Sequence, residues 1–234
     1  MDSDCSVIKY ADDTVITGYL SDDIDSYATT IARFVQWCDD HLLQLNVSKT
    51  KELIIDFRCK SVTHAPIYVH GEQVEQVDKY KYLGTMLSNN IDWSSNATIV
   101  HKKANQRLYF LRKLKNLRVD KTIMTLFYKS LIQSVLMYNI ICYFANGIKI
   151  DVKMLEQSRK VAQRVIGAQL PSLEYLYHER VCNKLKHIMQ DPTHPLFQHY
   201  NYNRSGLRLC PPRTLRAATD AHLCLTLSIY LIHK

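Results

Sequence analysis

Glycine and proline are both scarce, at six each in 234 residues. That argues against a disordered or low-complexity chain, and no Gly-rich loop for a methyl donor is present. Cysteine occurs seven times, but singly (Cys5, Cys38, Cys59, Cys142, Cys182, Cys210, Cys224), with no CxxC and an odd total. This usage argues for a reducing compartment and against a disulfide framework. An intracellular protein, nuclear or cytoplasmic, is therefore expected. Long apolar runs are missing as well. The most apolar stretch, SLIQSVLMYNIICYFANGI from Ser130, is interrupted by Gln133 and Asn139, so a buried helix is expected and no membrane partner. The opening MDSDCSVIKY is acidic and has no hydrophobic centre, unlike a secretory signal.

The chain is nonetheless 47% hydrophobic and 22% charged, enough apolar matter for a core and too little net polarity for disorder. The net charge of +8 is unevenly placed. Residues 1–60 hold 11 acids and 6 bases, and the rest hold 11 acids and 24 bases. An acidic head on a basic body suits a protein that handles a polyanion and has a cation site in front, although ordinary surface charge gives the same composition. Acid is absent altogether between Asp92 and Asp120, an interval that contains Lys102, Lys103, Arg107, Arg112, Lys113, Lys115 and Arg118.

Hydropathy patterning predicts an α+β organisation. CSVIKY (5–10) and TVITGYL (14–20) alternate like short strands, with ADD between them as a tight turn. Ser21 can cap a helix whose first turn carries Asp22 and Asp23. Its apolar periodicity runs through Ile24, Tyr27, Ile31, Phe34, Cys38, Leu42 and Leu45. KELIIDF (51–57) predicts a strand, PIYVHGEQVEQV (66–77) a hairpin turning at Gly71-Glu72, and KYKYLGTML (79–87) a further short strand element. From about residue 95 the pattern is helical, over 95–116, 120–145, 152–168 and 172–190, then broken by QDPTHP. The tail RAATDAHLCLTLSIYLI reads as one further amphipathic stretch of an all-helical region. Three parts are expected: 1–90, 91–150 and 151–234.

Three adjacent acid pairs allow a comparison. Asp22-Asp23 and Asp39-Asp40 read as solvated helix charges. Asp12-Asp13 alone lies at a hairpin tip between apolar strands. Carboxylates on a rigid turn are hard oxygen ligands that Mg²⁺ accepts together with substrate phosphates. A pair of such ions activates a 3′-hydroxyl and stabilises leaving pyrophosphate. An Asp-rich surface turn is the plain alternative.

The residues around this pair carry a resemblance. YADDTVI resembles the Tyr-x-Asp-Asp box of reverse transcriptases, in the Tyr-Ala-Asp-Asp form of non-LTR (LINE-type) retrotransposons. WCDDHLLQLNVSKTKELIIDF (37–57) resembles the segment that follows the box, and YKYLGTML (80–87) the primer grip. KKANQRLYFLRKLKNL (102–117) and FYKSLIQSVLMY (127–138) resemble the thumb, and RKVAQRVIG (159–167) with DPTHPLF (191–197) the helices beyond it. The implied fold is a partial palm (hairpin, packing helix and short strands) followed by a helical thumb and C-terminal helical region. The implied ligands are Mg²⁺, an RNA template and a DNA primer.

Carried over residue by residue, Asp12 would be the principal metal ligand and Asp13 its partner, the two being catalytic. Tyr10 would lie near the primer end or the substrate sugar. Lys49 would approach the nucleotide phosphates, unless it is a helix-end lysine answering the dipole. Tyr82, Leu83 and Gly84 would form the primer grip, or else a plain core strand. The basic helix has an argument of its own. At 100° per residue Ala104, Leu108 and Leu111 share one apolar face, while Lys102, Tyr109 and Lys113 share the opposite one. Lys102, Lys103, Arg107, Tyr109, Arg112 and Lys113 are thus candidates for contact with a polynucleotide backbone. A solvated face is the alternative, though one that would ordinarily mix charge signs.

The resemblance fails at the front. A further catalytic Asp on an upstream strand and the fingers are expected of such a palm, and Met1 stands nine residues before Tyr10. A truncated product without independent activity is therefore expected, with an exposed palm surface prone to self-association. A second resemblance lies in LNVSKTKELIIDFR (45–58) and VDKYKYLG (77–84), which are similar to the N-terminal domain of AlkB-type alkylation-repair homologues. It would imply a 2-oxoglutarate-dependent dioxygenase or a tRNA methyltransferase. No two-His-one-carboxylate iron set is expected, and Cys182, His187, His194 and His199 match no common zinc spacing.

Overall fold

The computed structural model describes residues 5–19, 24–56, 65–147, 149–197, 200–202, 204, 209–210 and 224–231. The chain is α+β and forms two compact units, Met1–Asp92 with Thr214–Lys234, and Trp93–Arg213. Ser21, Asp22 and Asp23 lie outside the described residues.

The first unit is built on a five-stranded sheet. Strands β1 (Cys5–Tyr10) and β2 (Asp13–Tyr19) form an antiparallel hairpin in register from Cys5↔Gly18 to Tyr10↔Asp13. Helix α1 (Ile24–Asp40) leads to β3 (Lys51–Asp56). The hairpin β4 (Tyr68–Val69) and β5 (Glu72–Gln73) follows, then β6 (Glu75–Gln76), parallel to β3. A second hairpin pairs β7 (Lys79–Tyr82) with β8 (Thr85–Ser88).

One face of the main sheet packs on α1. Ile16, Tyr27, Ile31, Ile54, Val69 and Val74 are buried there, with Phe34, Val35 and Leu45 partly buried around them. Gly18 is required at this contact, because a Cβ would lie 2.8 Å from the Tyr27 ring and 2.9 Å from Cys5 Sγ. The helix is shorter than its apolar periodicity predicts. Leu42 turns to φ 57° and is 91% exposed, and Asn46 then organises the next turn by accepting from Ser48 Oγ and Lys49 N. The hairpin predicted at Gly71-Glu72 turns one residue earlier, at His70-Gly71, both with positive φ.

Two helical expectations need correction. The tail is no helix over 224–231 but a strand, numbered β11 below, running antiparallel to both β2 and β3 and giving the order β1-β2-β11-β3-β6. Its sequence CLTLSIYL alternates with the period of a strand, and Thr and Ile favour that conformation. The second is the stretch 120–145, which is not one helix.

In the second unit α2 (Ser94–Asn116) is followed by α3 (Lys121–Phe127), a π-helical turn (Tyr128–Gln133), α4 (Ser134–Leu136) and α5 (Ile140–Tyr143). Thr125, Ser130 and Ser134 each donate a side-chain hydroxyl to the carbonyl four residues back, which competes with the regular helical pattern. Tyr128, Ile132 and Leu136, spaced by four, share one buried face through this wider turn. Asn139 then adopts φ 55°, a conformation Asn tolerates better than most residues, and stops the helix. The apolar run from Ser130 buries Ile132, Leu136, Met137, Ile140 and Tyr143 while Leu131, Tyr138 and Ile141 stay exposed, and no helix among the described residues is long and apolar enough to cross a membrane.

Helices α6 (Lys149–Ile166) and α7 (Leu173–Gln190) complete the unit, with the short pair β9 (Asn201–Tyr202) and β10 (Leu209–Cys210). Helix α2 lies along α6, tied by Ser94 Oγ to Asp151 at 2.8 Å and by Ser158 Oγ to His101 at 2.9 Å. Gly167 at φ 72° ends α6. Buried Arg159 donates to Glu156 at 2.6 Å, Gln163 at 2.7 Å and the Leu170 carbonyl at 2.8 Å.

Candidate functional site

Each unit carries one candidate region. In the first, the β1–β2 hairpin turns through Ala11 and Asp12 alone, and Asp13 is the first residue of β2, opposite Tyr10. Ala11 holds φ 54°, the left-handed conformation that two-residue hairpin turns need and that costs an Ala about 1–2 kcal/mol. The carboxylates at this tip are accessible to different degrees. Asp12 is exposed, Asp13 is half-buried, and Thr14 behind them is buried, its hydroxyl without a hydrogen-bond partner among the described residues. Tyr10 is 64% exposed.

The β7–β8 hairpin comes close to Asp13. Burial first, and then the Asp13 carboxylate, raise the hydroxyls of both Tyr80 and Tyr82 above their ordinary value. Leu83 and Gly84 form this hairpin's two-residue turn, both with positive φ. Asp13 and Tyr82 are therefore within electrostatic reach of each other. Tyr80 was not singled out from the sequence, although its i, i+2 spacing from Tyr82 places both on one face of a strand. Lys49 is exposed in the turn before β3. Since Lys51 and Val15 are both level with Ile229, Lys49 lies at the same end of the sheet as Asp13. Strand β11 stands between them, so the separation is about 10 Å, two strand spacings.

As oxygen donors Asp12 and Asp13 suit Mg²⁺ in kind but not in number. Among the described residues no group of three or more His, Cys, Asp or Glu side chains could hold a metal ion. A two-ion reaction needs carboxylates from more than this one turn. One His-x-Glu spacing, His70-Gly71-Glu72, escaped the sequence reading. It occupies the β4–β5 turn, where His70 Nε2 lies 3.5 Å from Asp39 on α1. His199 lies outside the described residues.

In the second unit the acid-free interval forms α2. Ala104, Leu108 and Leu111 are buried, as their spacing predicts, and Lys102, Lys103, Tyr109, Arg112 and Lys113 are exposed on the outer surface. The Lys113 ammonium lies 5.4 Å from the Tyr109 ring centre, a cation–π contact. Phe110, absent from the sequence candidates, meets Tyr109 edge-on at 5.5 Å and 79°. Arg107 departs from the stripe: its guanidinium donates to the Leu131 carbonyl in the π-helical turn. Its charge serves the packing of that turn, which periodicity on α2 alone had no means of revealing.

A family model described as alkylated DNA repair protein alkB homolog 8, N-terminal, matches residues 93–134, which comprise α2, α3 and the π-helical turn. The match falls beyond the stretch 45–84 on which the sequence reading placed this likeness. No curated protein and no solved structure matches the chain.

Proposed function

We propose that the chain is a polynucleotide-binding protein of reverse-transcriptase type, comprising the end of a palm, a thumb and following helices, and that it does not extend a primer by itself. The observation that carries this reading is α2. Its outer face presents Lys102, Lys103, Arg112 and Lys113 without one acid, while its inner face is fully engaged in the core. Such a face attracts phosphates and releases their counterions. The family matching this helix is named for DNA repair, in keeping with a nucleic-acid role. In the other unit the hairpin, packing helix and following strand stand in the order the resemblance implies, and Asp12 and Asp13 occupy an accessible tip beside Tyr82. RNA template and DNA primer are the implied ligands, with Asp12 and Asp13 offering Mg²⁺ part of a coordination sphere, Tyr10 opposite Asp13, and Lys49 at the same end of the sheet across β11.

Two measurements test this. Charge reversal of Lys102, Arg112 and Lys113 to Glu should weaken sequence-independent polynucleotide binding and flatten its salt dependence. Unchanged binding overturns the reading. In primer extension with Mg²⁺, wild type and Asp12→Ala should be equally inactive. Extension that disappears in Asp12→Ala would show that the chain, alone or as an oligomer, completes the site.

A further inference from the structure

The outer face of α2 carries more than charge. Tyr109 is 53% exposed and Phe110 57% exposed, adjacent on a helix whose buried positions are already filled by Ala104, Leu108 and Leu111. Two large rings left half in water lose the benefit of burial, and their edge-to-face packing fixes both in place without covering them. The cations surround them on the same helix. Lys102 and Lys103 lie two turns before the pair, about 10 Å at the helical rise, and Lys113 lies one turn after it, about 6 Å. Lys113 also engages the Tyr109 ring directly.

We propose that Tyr109 and Phe110 form a stacking platform for unpaired bases, so that this face selects single-stranded over double-stranded polynucleotide. The inference rests on the polynucleotide reading of α2 and adds the class of ligand. The physical ground is the placement of the rings. In a duplex the bases are stacked on one another and only the backbone and groove edges reach a convex helix face. The cations then act and the rings gain nothing. A single strand can splay a base onto an aromatic face while its phosphates meet the flanking ammonium groups. Stacking of this kind tolerates any sequence, because every base has a π-face.

The test compares a fluorescently labelled oligo(dT) strand with a duplex of equal length, titrated with the full chain over a salt series. Wild type should prefer the single strand. Tyr109→Ala with Phe110→Ala should reduce single-strand affinity by about 10-fold or more and leave duplex affinity and both salt slopes unchanged. Tyr109→Trp with Phe110→Trp should keep the preference, which separates stacking from any effect on the fold. Lys103→Glu with Arg112→Glu should weaken both ligands. If the double alanine variant binds the single strand like wild type while the charge variant does not, the platform is refuted and the basic face stands. If the charge variant is also unchanged, the polynucleotide reading itself fails.

Discussion

Replacing Glu52 with Gln tests how dry the interior of the main sheet is. Glu52 is 4% exposed and lies on the same face of β3 as Ile54, which packs with Tyr27 and Ile31 of α1. Burial pushes its carboxyl from 4.5 up to about 7. The folded form therefore holds this proton more tightly than the unfolded chain. At about 1.36 kcal/mol per pH unit, the whole effect is on the order of 3 kcal/mol. The sign follows from linkage: stability is highest below pH 4.5, falls between 4.5 and about 7, and is flat above that. Gln carries no such dependence.

Trp37 lies in the first unit and Trp93 in the second, so urea denaturation in a Trp93→Phe background follows the first unit alone. Between about pH 5 and pH 8 the wild-type background should lose about 2–3 kcal/mol more stability than its Glu52→Gln derivative. The His70–Asp39 pair is common to both proteins, so the difference isolates Glu52. Parallel pH profiles for the two would refute a buried, desolvated carboxyl.

Three further outcomes can be checked. Ala11→Gly should raise the thermal midpoint of the first unit, with a gain of about 0.5–1 kcal/mol in chemical denaturation, because Gly relieves the strain at φ 54°; a loss would mean that the turn does not hold this conformation. Arg107→Ala should cost about 0.5–1.5 kcal/mol by removing an exposed hydrogen bond to the Leu131 carbonyl, measured by denaturation, while changing polynucleotide affinity far less than Lys102→Glu. Ser228→Pro removes a donor from the strand between β2 and β3, so limited proteolysis should digest the first unit and leave the helical signal of the second.

The β1–β2 hairpin was legible because two apolar runs flank the short turn signal ADD, although the turn that forms is one residue shorter, with Asp13 already in β2. The inner face of α2 was legible from three residues at helical spacing. What escaped was contact made at a distance. Strand β11 alternates with period two, yet nothing local says that it enters a sheet formed some 170 residues earlier, where Thr226 meets Ile54. Leu42 fitted the helical period and was overruled by the turn around Asn46. The π-helical turn falls within a stretch whose apolar spacing reads as one helix, and propensity scales do not distinguish it from one. At the candidate sites, Asp12 and Asp13 announced themselves by pairing. Tyr80 and Phe110 gained interest only once neighbours and exposure were known.

The insertion of β11 between β2 and β3 bears on how quickly the two units acquire their structure. The second unit is mostly helical, and its main long-range pair, α2 with α6, joins residues such as Ser94 and Asp151 that are 57 apart, a shorter closure than the sheet requires. The sheet of the first unit must bring Leu227 beside both Thr17 and Leu53, pairings of very long sequence separation. Until that loop closes, β2 and β3 each present an open edge, the condition in which a nascent sheet is most exposed to pairing with a neighbouring molecule. Refolding is thus expected in two phases, a fast one in helical signal and a slower one in Trp37 fluorescence. Aggregation during dilution from denaturant should follow the duration of the slower phase.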